Sequence, residues 1–249
     1  MQDPVGYRIS EPPSSAAPRS DSFLSRLGNL IASPGKAMEG VKAKPRWLQA
    51  GLVIMVVMGL FTAATTHIAS PEQMELMKDT RLGQMIPPEQ YQEQYDQALN
   101  PTMGKRIISG IGAAAGTWIL ALFVPGLVWL LFSKLAGGQA TFGQVMGVVF
   151  WADLIPLGLG PLVRWPLVLA QQSVIGVATG PAVFAAGDPS SLAYRLLMFL
   201  DVFAIWGLVV MVIGFQKVNG FPRGKAVTVA VVPWLLISLV QFGLMSAFM

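Results

Sequence analysis

Residues 48–69 read LQAGLVIMVVMGLFTAATTHIA, a run of 22 positions with no proline, no acid and no lysine or arginine. An α-helix rises roughly 1.5 Å per residue, so about 20 such residues cover the ~30 Å of hydrocarbon in a bilayer. Four more stretches of at least 20 residues repeat the pattern, at Ile108–Phe132, Phe142–Val163, Leu196–Phe215 and Ala226–Phe248. These are interrupted by Pro125, by Asp153, Pro156 and Pro161, by Asp201 and by Pro233 respectively. They are apolar on every face, whereas a helix on a soluble core keeps one polar face. The fold class is therefore all-α: a polytopic transmembrane bundle of five spans.

Composition excludes several chemistries. The chain is 53% hydrophobic and 12% charged, with mean hydropathy +0.57, against about 25% charged residues in an average soluble chain. There is no cysteine and one histidine, His67, so neither a disulfide frame nor the usual multi-histidine metal centre is available. Phosphate-loop, dinucleotide, HExxH and GxSxG signatures are absent. No catalytic residue, cofactor or metal is expected, and no nucleic-acid partner.

Charge sets an expected orientation. Residues 1–46 carry seven cations against four acids, and the 70–107 segment carries six acids against four cations. Lys134 falls in the next short connection and Lys217, Arg223 and Lys225 in the last. Cations accumulate on the cytoplasmic side. Five spans then place the N-terminus inside, 70–107 outside and the C-terminus outside. Residues 1–21 lack an apolar core segment, so the first span is expected to act as an uncleaved anchor.

Outside the spans, the polar, Pro/Ser-rich residues 1–21 are expected to be a disordered cytoplasmic tail, with 22–248 forming one membrane domain. Phe23, Leu24, Leu27, Leu30 and Ile31 recur at helical spacing, and Ser33-Pro34-Gly35 breaks the run before Ala37, Met38 and Val41. With Lys36, Lys42, Lys44 and Arg46 alongside, these amphipathic helices suit a basic surface on the cytoplasmic leaflet; folding back onto the bundle is the alternative. Lys217, Arg223 and Lys225 would extend that lipid- or partner-binding surface. In 70–107, Ser70-Pro71-Glu72 and Pro87-Pro88-Glu89 each open a helix, giving a short extracytoplasmic hairpin. Residues 165–186 are apolar but contain Gln171-Gln172-Ser173, which predicts an interfacial or re-entrant helix. Gly112/Gly116 and Gly143/Gly147 have the spacing of close helix packing.

Two carboxylates, Asp153 and Asp201, fall inside apolar spans and form a candidate polar site, since such groups are costly in a bilayer. Antiparallel neighbouring helices would set them at one depth, with Arg164 and Arg195 as alternative partners. A solute, proton or cation transporter using the two aspartates is the reading from a different class.

The stretch LDVFAIWGLVVMVIGFQKVNGFPRGKAVTVAVVPWLL, residues 200–236, resembles the Yip (Ypt-interacting protein) domain family in its bacterial and archaeal form. So do Ala140-Thr141-Phe142 with Gln144 and Pro156, and the approach from Ser33-Pro34 to Pro45-Arg46-Trp47-Leu48. The resemblance implies a five-span bundle with a cytoplasmic N-terminus in a prokaryotic cytoplasmic membrane. It further implies a non-enzymatic role in organising membrane, with lipids, other membrane proteins or further copies as partners. Eukaryotic members are linked to Rab-type GTPases, but their Asp-Leu-Tyr-Gly-Pro hallmark is missing here, so no Rab partner is carried over.

Overall fold

The structure is a computed structural model and describes residues 22–78, 80–184, 192–198 and 200–248. The tail at 1–21 lies outside the described residues. Among those described, every regular element is helical. Five helices are long and apolar enough to cross a membrane: Trp47–Lys78, Met103–Leu135, Phe142–Gln171, Val202–Asn219 and Arg223–Gly243, here spans 1 to 5. The chain is an integral, multi-pass membrane protein.

Span 3 is the axis of the bundle. Within its apolar window 72% is buried, against 11% for span 2. Val145, Met146, Val148, Val149, Phe150, Trp151 and Ala152 are all shut away from the surface. Small residues let its neighbours approach. A Cβ on Gly207 of span 4 would lie 3.2 Å from the Ala152 carbonyl, and one on Gly51 of span 1 would overlap the Trp118 and Phe150 rings. Spans 1 and 2 meet where a Cβ on Gly110 would stand 2.6 Å from the Gly59 carbonyl oxygen. Gly147 does abut Val41 and Pro45, but Gly112 and Gly116 face open space. The spacing therefore marked a real contact in one pair and an outward face in the other.

The prolines widen the helices without breaking them. Span 2 takes a π-helical form over Thr117–Phe123, directly before Pro125, and span 3 does so over Leu154–Leu159, around Pro156 and before Pro161. A proline offers no N–H and crowds the carbonyl four residues back. Bonding five residues back, as Val124 N–H does to Ile119 O, accommodates it.

Three boundaries differ from expectation. Pro71 does not open a new helix: span 1 runs through it to Lys78. The hairpin forms between that extension and a helix at Pro88–Leu99, clamped where the Tyr91 hydroxyl donates to Met74 O (3.1 Å) and that of Tyr95 to Glu75 (2.7 Å). Residues 165–184 do not form a separate helix, and the last two positions of the expected segment, 185–186, lie outside the described residues. Span 3 continues to Gln171 and stops at Gln172, whose φ of 49° is left-handed. Irregular chain follows, up to a short turn at Pro181–Phe184. Span 4 begins only after Asp201, which caps it.

The N-terminal helices α1 (Phe23–Ala32) and α2 (Pro34–Ala43) fold back onto the bundle. Leu30, Met38 and Val41 are fully buried in the main core. Trp206 Nε1 donates to Leu30 O (3.3 Å), Trp151 Nε1 to Pro45 O (2.9 Å) and Gln144 Nε2 to Lys42 O (2.9 Å). Arg26, 2% exposed, donates to Lys44 O (2.9 Å) and Gly40 O (3.2 Å) with its guanidinium 4.9 Å from the Trp151 ring centre.

Candidate functional site

Arg164 stands near the end of span 3 because the helix continues past Val163. Asp201 stands at the start of span 4 because a carboxylate with extended backbone is a good N-cap. Its Oδ1 accepts from Phe203 N (2.9 Å) and Ala204 N (3.1 Å). Its Oδ2 takes Arg164 NH2 at 2.6 Å and the Thr179 hydroxyl. Arg164 Nε donates to Thr179 Oγ1 (3.0 Å), and the guanidinium lies 5.8 Å from the Phe203 ring centre. Val202 N closes the circuit on Thr179 O at 3.3 Å. The ion-paired side chains are 27% and 13% exposed and border a hollow of about 120 Å³. Gly180 is needed there, since a Cβ would come within 2.5 Å of Leu200 O. Both oxygens of Asp201 are occupied, so the group acts as a latch tying the irregular 172–180 chain to spans 3 and 4.

The two aspartates do not share a depth. Gly160, a turn from Arg164, packs beside Phe203, whereas Ala152 and Pro156 face Gly207. Asp153 thus lies about 15 Å of helix rise below the latch. It is half-buried, and its side chain makes no hydrogen bond or ion pair among the described residues. Span 4 starts at the carboxylate instead of enclosing it, which moves Asp201 to the bundle end. The backbone of Arg195 belongs to the helix Leu192–Met198, and its side chain lies outside the described ones.

The basic residues collect at the opposite end. Lys217 Nζ meets Glu39 Oε1 at 2.7 Å, fixing α2 to span 4, and that hydrogen bond and charge hold the Glu39 carboxyl below its ordinary range. Lys225 Nζ lies 4.9 Å from the Phe221 ring centre. Lys36, Lys42, Lys44, Arg46 and Arg223 are exposed.

Sequence reasoning passed over Arg26, Thr179 and Asn219. Arg26 carried a signal, being a cation on the same helical stripe as Phe23 and Leu30. Asn219 Oδ1 accepts from Ala140 N (3.0 Å) and from the Ser133 hydroxyl (3.4 Å), joining the two connections at the basic end; nothing in its neighbourhood in sequence pointed there. Among the described residues no group of three or more acids and histidines is arranged to hold a metal.

Comparison with known proteins gives the same picture as the geometry. The family model for the Yip1 domain matches residues 28–245. The membrane protein YknW of Bacillus subtilis (strain 168) is 25% identical over 224 residues, covering 89% of this chain and 87% of that protein. No solved structure matches. A family model that accounts for all five spans and most of the N-terminal helices establishes that the chain belongs to the Yip1 domain family.

Proposed function

We propose that this protein is a non-enzymatic organiser of its membrane, acting through lateral association with other membrane proteins or further copies of itself. The observation that carries the reading is the contrast between spans 2 and 3. One is enclosed and the other is 11% buried, with Gly112 and Gly116 facing nothing in the chain and Ile111 and Ile119 exposed on the same helix. Small residues on an open face admit a second helix at close range, which is what drives association in lipid. A photo-crosslinking residue at Ile111 or Ile119 is expected to yield protein adducts in cells, and one at buried Ile54 none. Gly112→Leu should cut the yield several-fold. Lipid adducts alone from both exposed sites would rule out the association.

We further propose that 22–248 is a single Yip-type domain of a prokaryotic cytoplasmic membrane, N-terminus inside and C-terminus outside, its basic end facing the anionic inner leaflet. The support is the cation asymmetry and the gathering of Lys36, Lys42, Lys44, Arg46, Arg223 and Lys225 at one end. Because the chain has no cysteine, single cysteines at Ser14, Gln94 and Ser246 give an unambiguous readout with an impermeant thiol reagent. Gln94 and Ser246 should label from outside and Ser14 only after lysis. The reverse pattern would invert the orientation.

A further inference from the structure

The 70–107 segment holds six acids, yet the two cations that end it meet none of them among the described residues. Lys105 Nζ donates to the neutral amide of Gln97 (2.7 Å). Arg106 NH2 donates to His67 Nδ1 (2.7 Å), an acceptor only in the neutral ring, and the buried Nε of Arg106 has no partner. Four of the acids are engaged elsewhere. Glu72 accepts from Val174 N and Ile175 N, Glu75 from Tyr95, Glu93 from Gln97 and Asp96 from Gln92. Lys105 and Arg106 thus make no ion pair among the described residues where span 2 begins.

Beside Lys105 lies a hollow of about 350 Å³, far more than a single water needs. Three helices each present a stripe to it: Thr66 and Ser70 from span 1, Gln94 and Gln97 from the Pro88–Leu99 helix, Lys105 and Ser109 from span 2. The hydroxyls of Ser70 and Ser109 and the amide of Gln94 make no hydrogen bond among the described residues. One ammonium with free neutral donors and no acid in the lining is the chemistry that holds phosphoryl oxygens. Below the hollow, Ile107 and Ile108 are 51% and 71% exposed and start an apolar track at the head of span 2.

We propose that this hollow binds a phosphoryl group, carried by an anionic phospholipid whose acyl chains follow that track. The site is independent of the lateral association described above and stands if that fails. The test uses the full chain in mild detergent, titrated separately with phosphatidylglycerol and with inorganic phosphate, and read by native mass spectrometry and by thermal stabilisation. Phosphatidylglycerol is expected to bind, with affinity lowered about tenfold by Lys105→Gln. Ser109→Leu, which fills the hollow without changing charge, should produce a similar loss, and Lys78→Gln on the same end of span 1 should change nothing. Phosphatidylglycerol binding without inorganic phosphate binding assigns the group to a lipid; competition by both keeps the phosphoryl site and removes the need for a lipid carrier. Binding insensitive to Lys105→Gln, or weakened equally by Lys78→Gln, overturns the proposal.

Discussion

Asp201→Ala is expected to destabilise the protein by about 3–5 kcal/mol, the range for breaking a largely buried ion pair from one side. The substitution strips the N-cap from span 4, leaving Phe203 N and Ala204 N without acceptors. It also leaves the Arg164 guanidinium with Thr179 as its remaining polar partner. Arg164→Ala should cost less, because Asp201 keeps its main-chain donors and the Thr179 hydroxyl. Asp201→Asn should fall between the two, since asparagine still caps a helix but cannot ion-pair. Thermal unfolding of the detergent-solubilised chain would rank the three. An Asp201→Ala protein that melts with the wild type would mean that the latch contributes nothing to stability.

The second large effect belongs to Trp151. Its ring is fully buried, packs 5.3 Å from Phe23, lies under Arg26 and donates to Pro45 O. Trp151→Ala should cost about 3–5 kcal/mol through the void and the lost contacts. Because lipid is as apolar as the core, that loss is one of packing, not of removal from water. The first element released would be the α1–α2 pair, which protease accessibility at 43–46 would report ahead of global unfolding. Trp151→Phe loses only the hydrogen bond and some volume, about 1 kcal/mol. Equal protease resistance in the alanine variant would show that the α1–α2 pair is held by its other contacts.

The five spans were legible because hydrocarbon thickness imposes one length on every crossing helix, and no local detail changes that. Residues 200–236 were legible as family sequence for the same reason that they pack well: small residues at Gly207 and Gly214 are needed where span 4 crosses span 3. Helix ends were less readable. Pro71 and Asp201 can each sit inside a helix or at its boundary, and only the tertiary surroundings decide. The latch itself was half visible: Arg164 was named as an alternative partner, but Thr179 is a common residue in an irregular stretch with no pattern to single it out. Arg26 reads as one more surface cation until the carbonyls of Gly40 and Lys44 are brought around it.

The seating of α1 and α2 has a consequence for how the molecule is made. Their hydrogen bond from Trp206 to Leu30 spans 176 positions, and the contact between Lys217 and Glu39 spans 178. A chain emerging from the ribosome therefore exposes its first two helices while all five spans are still to come. Span 3 gives them a partial seat through Gln144 and Trp151, but the contacts from Trp206 and Lys217 form only once span 4 has been threaded into the bilayer, so the part synthesised first is completed nearly last. During that interval the apolar faces of Leu30, Met38 and Val41 are unsheltered, and the nearby lysines and arginines are what remain to keep the waiting segment at the lipid surface.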